Sequence, residues 1–257
     1  MADDPEQWLV FVDGSGTYYK LPRSLVERSR VPESELAATA QALRERRTVQ
    51  RVGVRTVIRP PWRDYSPGPD DVVVTLDPGA AFGDGLHPST QLCLVALEGR
   101  LRPGMRVLDV GVGSGILSIA AAKLGAAVVD ALDVEPLAVC VARENVERNA
   151  LTTSVRVKVG TIEPTSEYAG RYDLVVANIL TNVIVRLAPA LVAALAPGGR
   201  LLTSGITADH AGTVRDALTT VGLTAIEHRE LESWTLVEGV RGAWGAESGE
   251  TDAAPAP

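Results

Sequence analysis

The chain has 257 residues, 46% hydrophobic and 22% charged, enough for one full α/β domain with a smaller unit beside it. That balance excludes a disordered chain, and Lys123 and Asp130 break the longest apolar stretch, which excludes a membrane span. A net charge of −7 argues against general nucleic-acid binding, so no direct nucleic-acid recognition is expected.

From the amino terminus, Met1-Ala-Asp-Asp-Pro-Glu6 is acidic and lacks the basic-then-apolar layout of a secretory signal, so a cytoplasmic location is expected. Residues 8–12 read as a strand closed by the turn cluster at 13–16. Pro32-Glu-Ser-Glu35 opens a helix through about Arg47, with proline near its first position and acids in its first turn. Val52 to Ile58 alternates like a second strand, and Pro60-Pro61 and Ser66-Pro-Gly-Pro69 punctuate a linker. Between residues 21 and 63 stand ten Arg and four Glu, a local balance of +6 that leaves −13 elsewhere. Arg outnumbers Lys throughout, so this is first a solvated basic face and second a docking surface for an acidic or ribonucleoprotein partner.

From Val72 the texture changes. A strand at 72–76 leads into the glycine-rich segment 77–88, followed by a helix to Leu97 stopped by Gly99. Strand-like runs follow at 105–111, 128–134, 154–160, 173–178, 199–206, 223–231 and 233–241. The first five alternate with helices, which predicts α/β architecture with a parallel, doubly wound sheet. The last two are separated only near Glu232-Ser233, which predicts an antiparallel hairpin at one edge. The expected division is a small α+β domain at 1–60, a linker and leading strand at 61–76, a cofactor-binding domain at 77–242 and a disordered tail at 243–257. Cys93 and Cys140 both fall in apolar helical patterns and read as reduced core thiols.

Three loops at the carboxyl edge of that sheet carry the chemistry, where open α/β folds bind ligands. Gly111, Gly113 and Gly115 let the chain turn sharply and let a ligand approach bare backbone. A dinucleotide fingerprint would need its third glycine where Ile116 stands, so a cofactor without pyrophosphate is favoured, above all S-adenosylmethionine. Asp133, 22 residues after Gly111, ends the second strand and suits both hydroxyls of a ribose. Glu135 is expected to cap the helix that begins at Pro136, and the polar outer face of that helix to Asn149 needs no functional account. Asn178 ends an apolar run, where its amide and a neighbouring carbonyl could aim an amine at an electrophilic methyl. His210 and His228 read as surface or packing residues, and the absence of ligand spacing predicts no metal.

These residues resemble a known family, the methyltransferases of the large-subunit ribosomal protein L11. The resemblance rests on Val57-Ile-Arg-Pro-Pro-Trp62, Leu76-Asp-Pro-Gly-Ala-Ala-Phe-Gly-Asp-Gly-Leu-His-Pro-Ser-Thr90 and Val107-Leu-Asp-Val-Gly-Val-Gly-Ser-Gly-Ile-Leu117. It continues through Asp133-Val-Glu-Pro136, Arg143-Glu-Asn145, Val176-Ala-Asn-Ile-Leu180, Pro197-Gly-Gly199 and Ser204-Gly-Ile206. It implies a class I methyltransferase fold, Rossmann-like, with a seven-stranded sheet whose last strand is antiparallel. It also implies S-adenosylmethionine as cofactor, a ribosomal protein as partner and methylation of its amino groups. The family's cofactor contacts fall on Thr90, Gly111, Asp133 and Asn178, with adenine expected against Val134 and near Thr161-Ile162. Two departures stand out. Asp84 replaces the family's usual hydroxyl residue, adding a charge that could attract a cationic substrate or simply exchange one turn-former for another. The segment before Asp77, which in the family recognises the ribosomal protein, is short and matches poorly outside the linker.

Overall fold

A computed structural model describes residues 8–12, 18–22, 32, 34–35, 41–42, 47–77 and 81–242. Strands β1 (Trp8–Val12) and β2 (Tyr18–Pro22) pair antiparallel, so the first expected strand has a partner that its sequence did not announce. Residues 34, 35, 41 and 42 are helical. Residues 33, 36–40 and 43–46 of that expected helix, the turn at 13–16 and the tail at 243–257 lie outside the described residues, and Arg47, its expected end, is described and not helical.

The run expected to be one strand from Val52 to Ile58 is two. β3 (Gln50–Val52) and β4 (Thr56–Arg59) form an antiparallel hairpin, and β5 (Val72–Thr75) adds parallel to β4. The break falls at Gly53, whose φ of 76° is a left-handed conformation. Glu98, on a helix described below, accepts from the N–H groups of Val54, Arg55 and Thr56 at 2.9, 3.0 and 2.5 Å. One carboxylate thus satisfies three donors that a continuous strand would have sent to a neighbour.

Helix α1 (Pro88–Arg100) then leads into an alternation of strands and helices, broken where residues 160–171 join β8 to β9 through turns instead of the expected helix. β6 (Arg106–Val110), α2 (Ile116–Lys123), β7 (Val128–Asp133), α3 (Pro136–Arg148) and β8 (Val155–Val159) form one half. β9 (Tyr172–Asn178), α4 (Thr181–Ala194), β10 (Leu195–Thr207), α5 (Ala211–Thr220), β11 (Leu223–Leu231) and β12 (Trp234–Arg241) form the other. α1 runs on to Arg100, past the Gly99 expected to stop it. The seven strands pair in the order β11-β12-β10-β9-β6-β7-β8, and β12 runs opposite to the other six. All seven expected runs, and the terminal hairpin, are present.

Alternating side chains divide the core between the two sheet faces. Val107, Leu174 and Leu202 pack with Leu94, Leu97 and Ile119 on the α1–α2 side. Leu108, Val175 and Leu201 pack with Ile184, Leu191, Val214 and Leu218 on the α4–α5 side. Cys93 is buried as expected, whereas Cys140 is exposed, a correction. On α3 the buried stripe is Ala138, Val139, Ala142, Asn145 and Val146, and position 140 points off it. No helix among the described residues is long and apolar enough to cross a membrane.

Candidate active site

The glycine loop joins β6 to α2, and its path is fixed by neighbours on both sides. Gly111 and Val112 donate to the Leu132 carbonyl at 2.8 and 2.9 Å, tying the loop to the end of β7. Gly111, Gly113 and Gly115 all have positive φ, at 85°, 52° and 87°. A Cβ on Gly113 would stand 2.7 Å from the Phe82 carbonyl oxygen, so the segment before α1 lies directly over the loop. Ser114 holds it there, donating its N–H to Phe82 O at 2.9 Å and its hydroxyl to Gly83 O at 2.5 Å.

Asp133 ends β7 beside this loop. Its Oδ2 accepts from Gly113 N at 2.9 Å and its Oδ1 from Glu135 N at 3.0 Å. A carboxylate so held is pre-oriented at the strand end, with lone pairs left for hydroxyl donors. Glu135 occupies the N-cap position of α3, but its side chain makes no capping hydrogen bond, which corrects the expectation. Val134 is exposed, while Ile162 is buried in the core with Val110 and Leu132, so of those two only Val134 offers a free apolar surface.

α1 begins at the same edge. His87 is its N-cap: Nδ1 accepts from Ser89 N at 3.3 Å and lies 2.7 Å from the Ser89 hydroxyl. Thr90 in the first turn is fully buried, and its amide donates to His87 O at 3.0 Å. Its hydroxyl accepts from Asn178 Nδ2 at 3.2 Å. The other end of the Asn178 amide, Oδ1, is buried and has no hydrogen-bond partner among the described residues. The fold therefore brings Thr90, Gly111, Gly113, Asp133 and Asn178 to one edge of the sheet. A buried acceptor without a donor is costly in a finished fold and fits a site completed by a ligand.

Several residues of this edge escaped sequence reasoning. The His87 ring packs edge-on to Phe82 (5.2 Å between centroids) and to Trp234 (4.5 Å), an aromatic wall drawn from two segments far apart in sequence. Asn145 corrects the reading of α3 as functionally silent. It is fully buried, donates to Asp77 O and Ser114 O at 2.9 Å each, and accepts from Asp77 N at 3.1 Å. It thereby staples the segment before residue 78 to the glycine loop. The motif Arg143-Glu-Asn145 carried that signal. Asp84 accepts from Leu86 N at 2.9 Å and stands 3.9 Å from the Arg47 guanidinium, so it is both a turn-former and half of an ion pair.

Asp109 is the other unforeseen group. It is fully buried on β6, accepts from the Ser118 hydroxyl at 2.6 Å, and its Oδ1 has no partner among the described residues. Burial, with the negative charge of Asp133 adding to it, pushes its pKa up to about 7 against the Ser118 hydrogen bond. No group of His, Cys, Asp and Glu that could hold a metal ion occurs among the described residues. His210 lies on the surface against Thr207, 2.9 Å from its hydroxyl, and His228 sits on edge strand β11.

Comparison with known proteins agrees with this geometry. The family model described as ribosomal protein L11 methyltransferase (PrmA) matches residues 31–242. A protein of Chloroflexus aurantiacus named ribosomal protein L11 methyltransferase is 46% identical over 220 residues, covering 77% of this chain and 67% of that one. One of the same name from Pelotomaculum thermopropionicum is 48% identical over 187 residues, covering 73% and 60%. The chain thus spans about three fifths to two thirds of the length of these relatives. A crystal structure of ribosomal protein L11 methylase from Lactobacillus delbrueckii subsp. bulgaricus superposes with a TM-score of 0.70 at 32% identity, covering 76% of this chain and 100% of that one. With a family match over most of its length and a site built where that family's motifs fall, this chain belongs to the ribosomal protein L11 methyltransferase (PrmA) family.

Proposed function

We propose that this chain uses S-adenosylmethionine to methylate amino groups of ribosomal protein L11, a lysine or α-amine, in the cytoplasm. The observation that carries the reading is the unpartnered, buried Oδ1 of Asn178, whose Nδ2 is held by the Thr90 hydroxyl at the sheet edge that also carries the glycine loop and Asp133. An acceptor fixed in that way suits an N–H donor. Family membership supplies the methyltransferase class and the ribosomal substrate.

The residues present fit the cofactor. Asp133 would hold the ribose hydroxyls, Gly111 and Gly113 would admit the ligand against bare backbone, and Thr90 with the start of α1 would receive the carboxylate. When bound, S-adenosylmethionine supplies an electrophilic methyl on a sulfonium, so the protein's task is positioning and exclusion of water. Asn178 would orient the amine, and the aromatic wall of Phe82, His87 and Trp234 would flank it. A lysine amine has a reference pKa of ~10.4 and must lose its proton before it can attack. That proton goes to solvent in this scheme, with the Asn178 carbonyl oxygen favouring the neutral amine.

In this reading residues 1–60 form the substrate-recognition unit, 61–76 the linker and leading strand, and 77–242 the cofactor-binding domain, with 243–257 as a tail. Methyl-labelled cofactor incubated with purified L11 and, separately, with a panel of small amines tests the proposal. Label on L11 is the expected result. Label on small amines alone, or on nothing, overturns it.

A further inference from the structure

Strand β10 carries an irregularity beside the candidate site. Its register with β12 shifts between Thr203 and Ile206, and within that shift Gly205 adopts φ 82°. On the other side of β10, Ser204 is the last residue in register with Asn178 of β9, and Ile179 N donates to Ser204 O at 3.1 Å. The bulge therefore sits where the β9–β10 ladder ends. Bulges next to active sites re-aim a side chain or terminate pairing.

The space a side chain would fill at Gly205 is occupied by the Ile179 peptide. A Cβ there would overlap the Ile179 carbonyl oxygen and stand 3.0 and 3.2 Å from its carbon and nitrogen. These are backbone atoms, which cannot swing aside as a side-chain tip can. On the opposite flank a Cβ at Gly111 would overlap Ile179 Cγ2. Ile179 is thus seated between two residues without side chains, one on β10 and one in the glycine loop. Asn178 directly precedes that seated residue.

We infer that Gly205 is a positioning residue for methyl transfer: it acts through the Ile179 peptide to set the Asn178 amide against the target amine. The inference rests on the reading of Asn178 as the amine acceptor. Other glycines on this chain show that positive φ alone does not explain Gly205. Gly222 has φ 89°, yet a Cβ there would meet nothing within 4 Å, so its conformation serves a turn and no close approach.

That contrast sets the experiment. Gly205→Ala and Gly205→Asn are compared with Gly222→Ala in single-turnover methyl transfer to purified L11 and in calorimetric titration with S-adenosylmethionine. Asn tolerates left-handed backbone better than Ala while carrying the same Cβ, so it separates crowding from φ strain. The expected result is transfer slowed about 100-fold in both Gly205 variants, the order that a misplacement of about 1 Å costs, with cofactor affinity retained and Gly222→Ala transferring at the normal rate. A Gly205→Asn protein that transfers as fast as wild type overturns the inference. Loss of cofactor affinity in parallel with transfer, or failure of both Gly205 variants to fold, also overturns it by assigning the residue to the sheet alone. Wild-type protein inactive on L11 would instead remove the reading beneath it, which is a distinct result.

Discussion

Asn178 on β9 donates from Nδ2 to the Thr90 hydroxyl on α1 at 3.2 Å, and the other end of the same amide is left buried and without a partner among the described residues. With its nitrogen committed, Oδ1 is the acceptor that remains. Asn178→Ala is expected to slow single-turnover transfer by about 10²–10³-fold, the usual effect of deleting one pre-oriented polar group at a reacting centre. Its melting temperature should stay near that of wild type. Full activity in the variant would remove Asn178 from the mechanism.

Asp133 is oriented by the Gly113 and Glu135 amides, and in the proposed function its remaining lone pairs would accept from the ribose hydroxyls. Asp133→Asn keeps the shape and discards the charge. Hydrogen bonds to an ionised group contribute about 1.5–3 kcal/mol each, so cofactor Kd should rise roughly 10–100-fold by calorimetry. Unchanged affinity would show that the ribose is bound elsewhere.

Asp109 links stability to pH. Its folded pKa, about 7, lies above its unfolded value, so the native state holds a proton that the unfolded chain releases. Its contribution is fully present below about pH 4 and is lost as pH rises towards 7, by up to about 4 kcal/mol. Asp109→Asn should therefore gain on wild type as pH rises from about 4 to about 7 in thermal melts, with the difference constant above that. Parallel pH profiles for the two proteins would refute the burial argument.

Glu98 clasps the Gly53 turn from a helix more than forty residues away. Burial opposes its ionisation, but hydrogen bonds from Thr56, Val54 and Arg55 outweigh it and hold the carboxyl below its ordinary range. Its stabilisation is present above the unfolded pKa and disappears as pH falls through the folded one. Glu98→Ala should cost about 1–3 kcal/mol in denaturant unfolding at neutral pH, with a smaller difference in acid. A neutral-pH difference of zero would mean that the turn holds without its clasp.

The two cysteines should behave differently. Cys93 is fully buried, and burial pushes its thiol well above the ordinary range, whereas Cys140 is exposed. A thiol-reactive dye should label one cysteine in the native protein and both in denaturant. Mass spectrometry locating the native label on Cys93 would contradict the packing of α1.

The sheet was legible because most of its parallel strands are apolar runs followed by helices, and because two residues between β11 and β12 leave room for nothing but a hairpin. Gly111, Gly113, Asp133 and Asn178 stood out because each ends or follows an element whose periodicity is plain, whereas Thr90, inside the first turn of α1, was marked only by the family resemblance. The Gly53 turn was not. Val52, Val54, Thr56 and Ile58 keep a strand's alternation, and the group that bends the chain there, Glu98, lies far off in sequence. The aromatic wall was hidden for a related reason: Trp234 reaches His87 only after β12 has inserted beside β10. Asn145 looked like one more polar residue on a helix because the carbonyls it binds belong to loops.

That insertion also orders events during synthesis. β11 pairs only with β12, which lies between it and β10. While residues 234–241 remain inside the ribosomal exit tunnel, the emerging sheet stops at β10 and His87 has no indole beside it. A nascent chain can therefore build its glycine loop early, yet its aromatic wall closes only when the last strand is released.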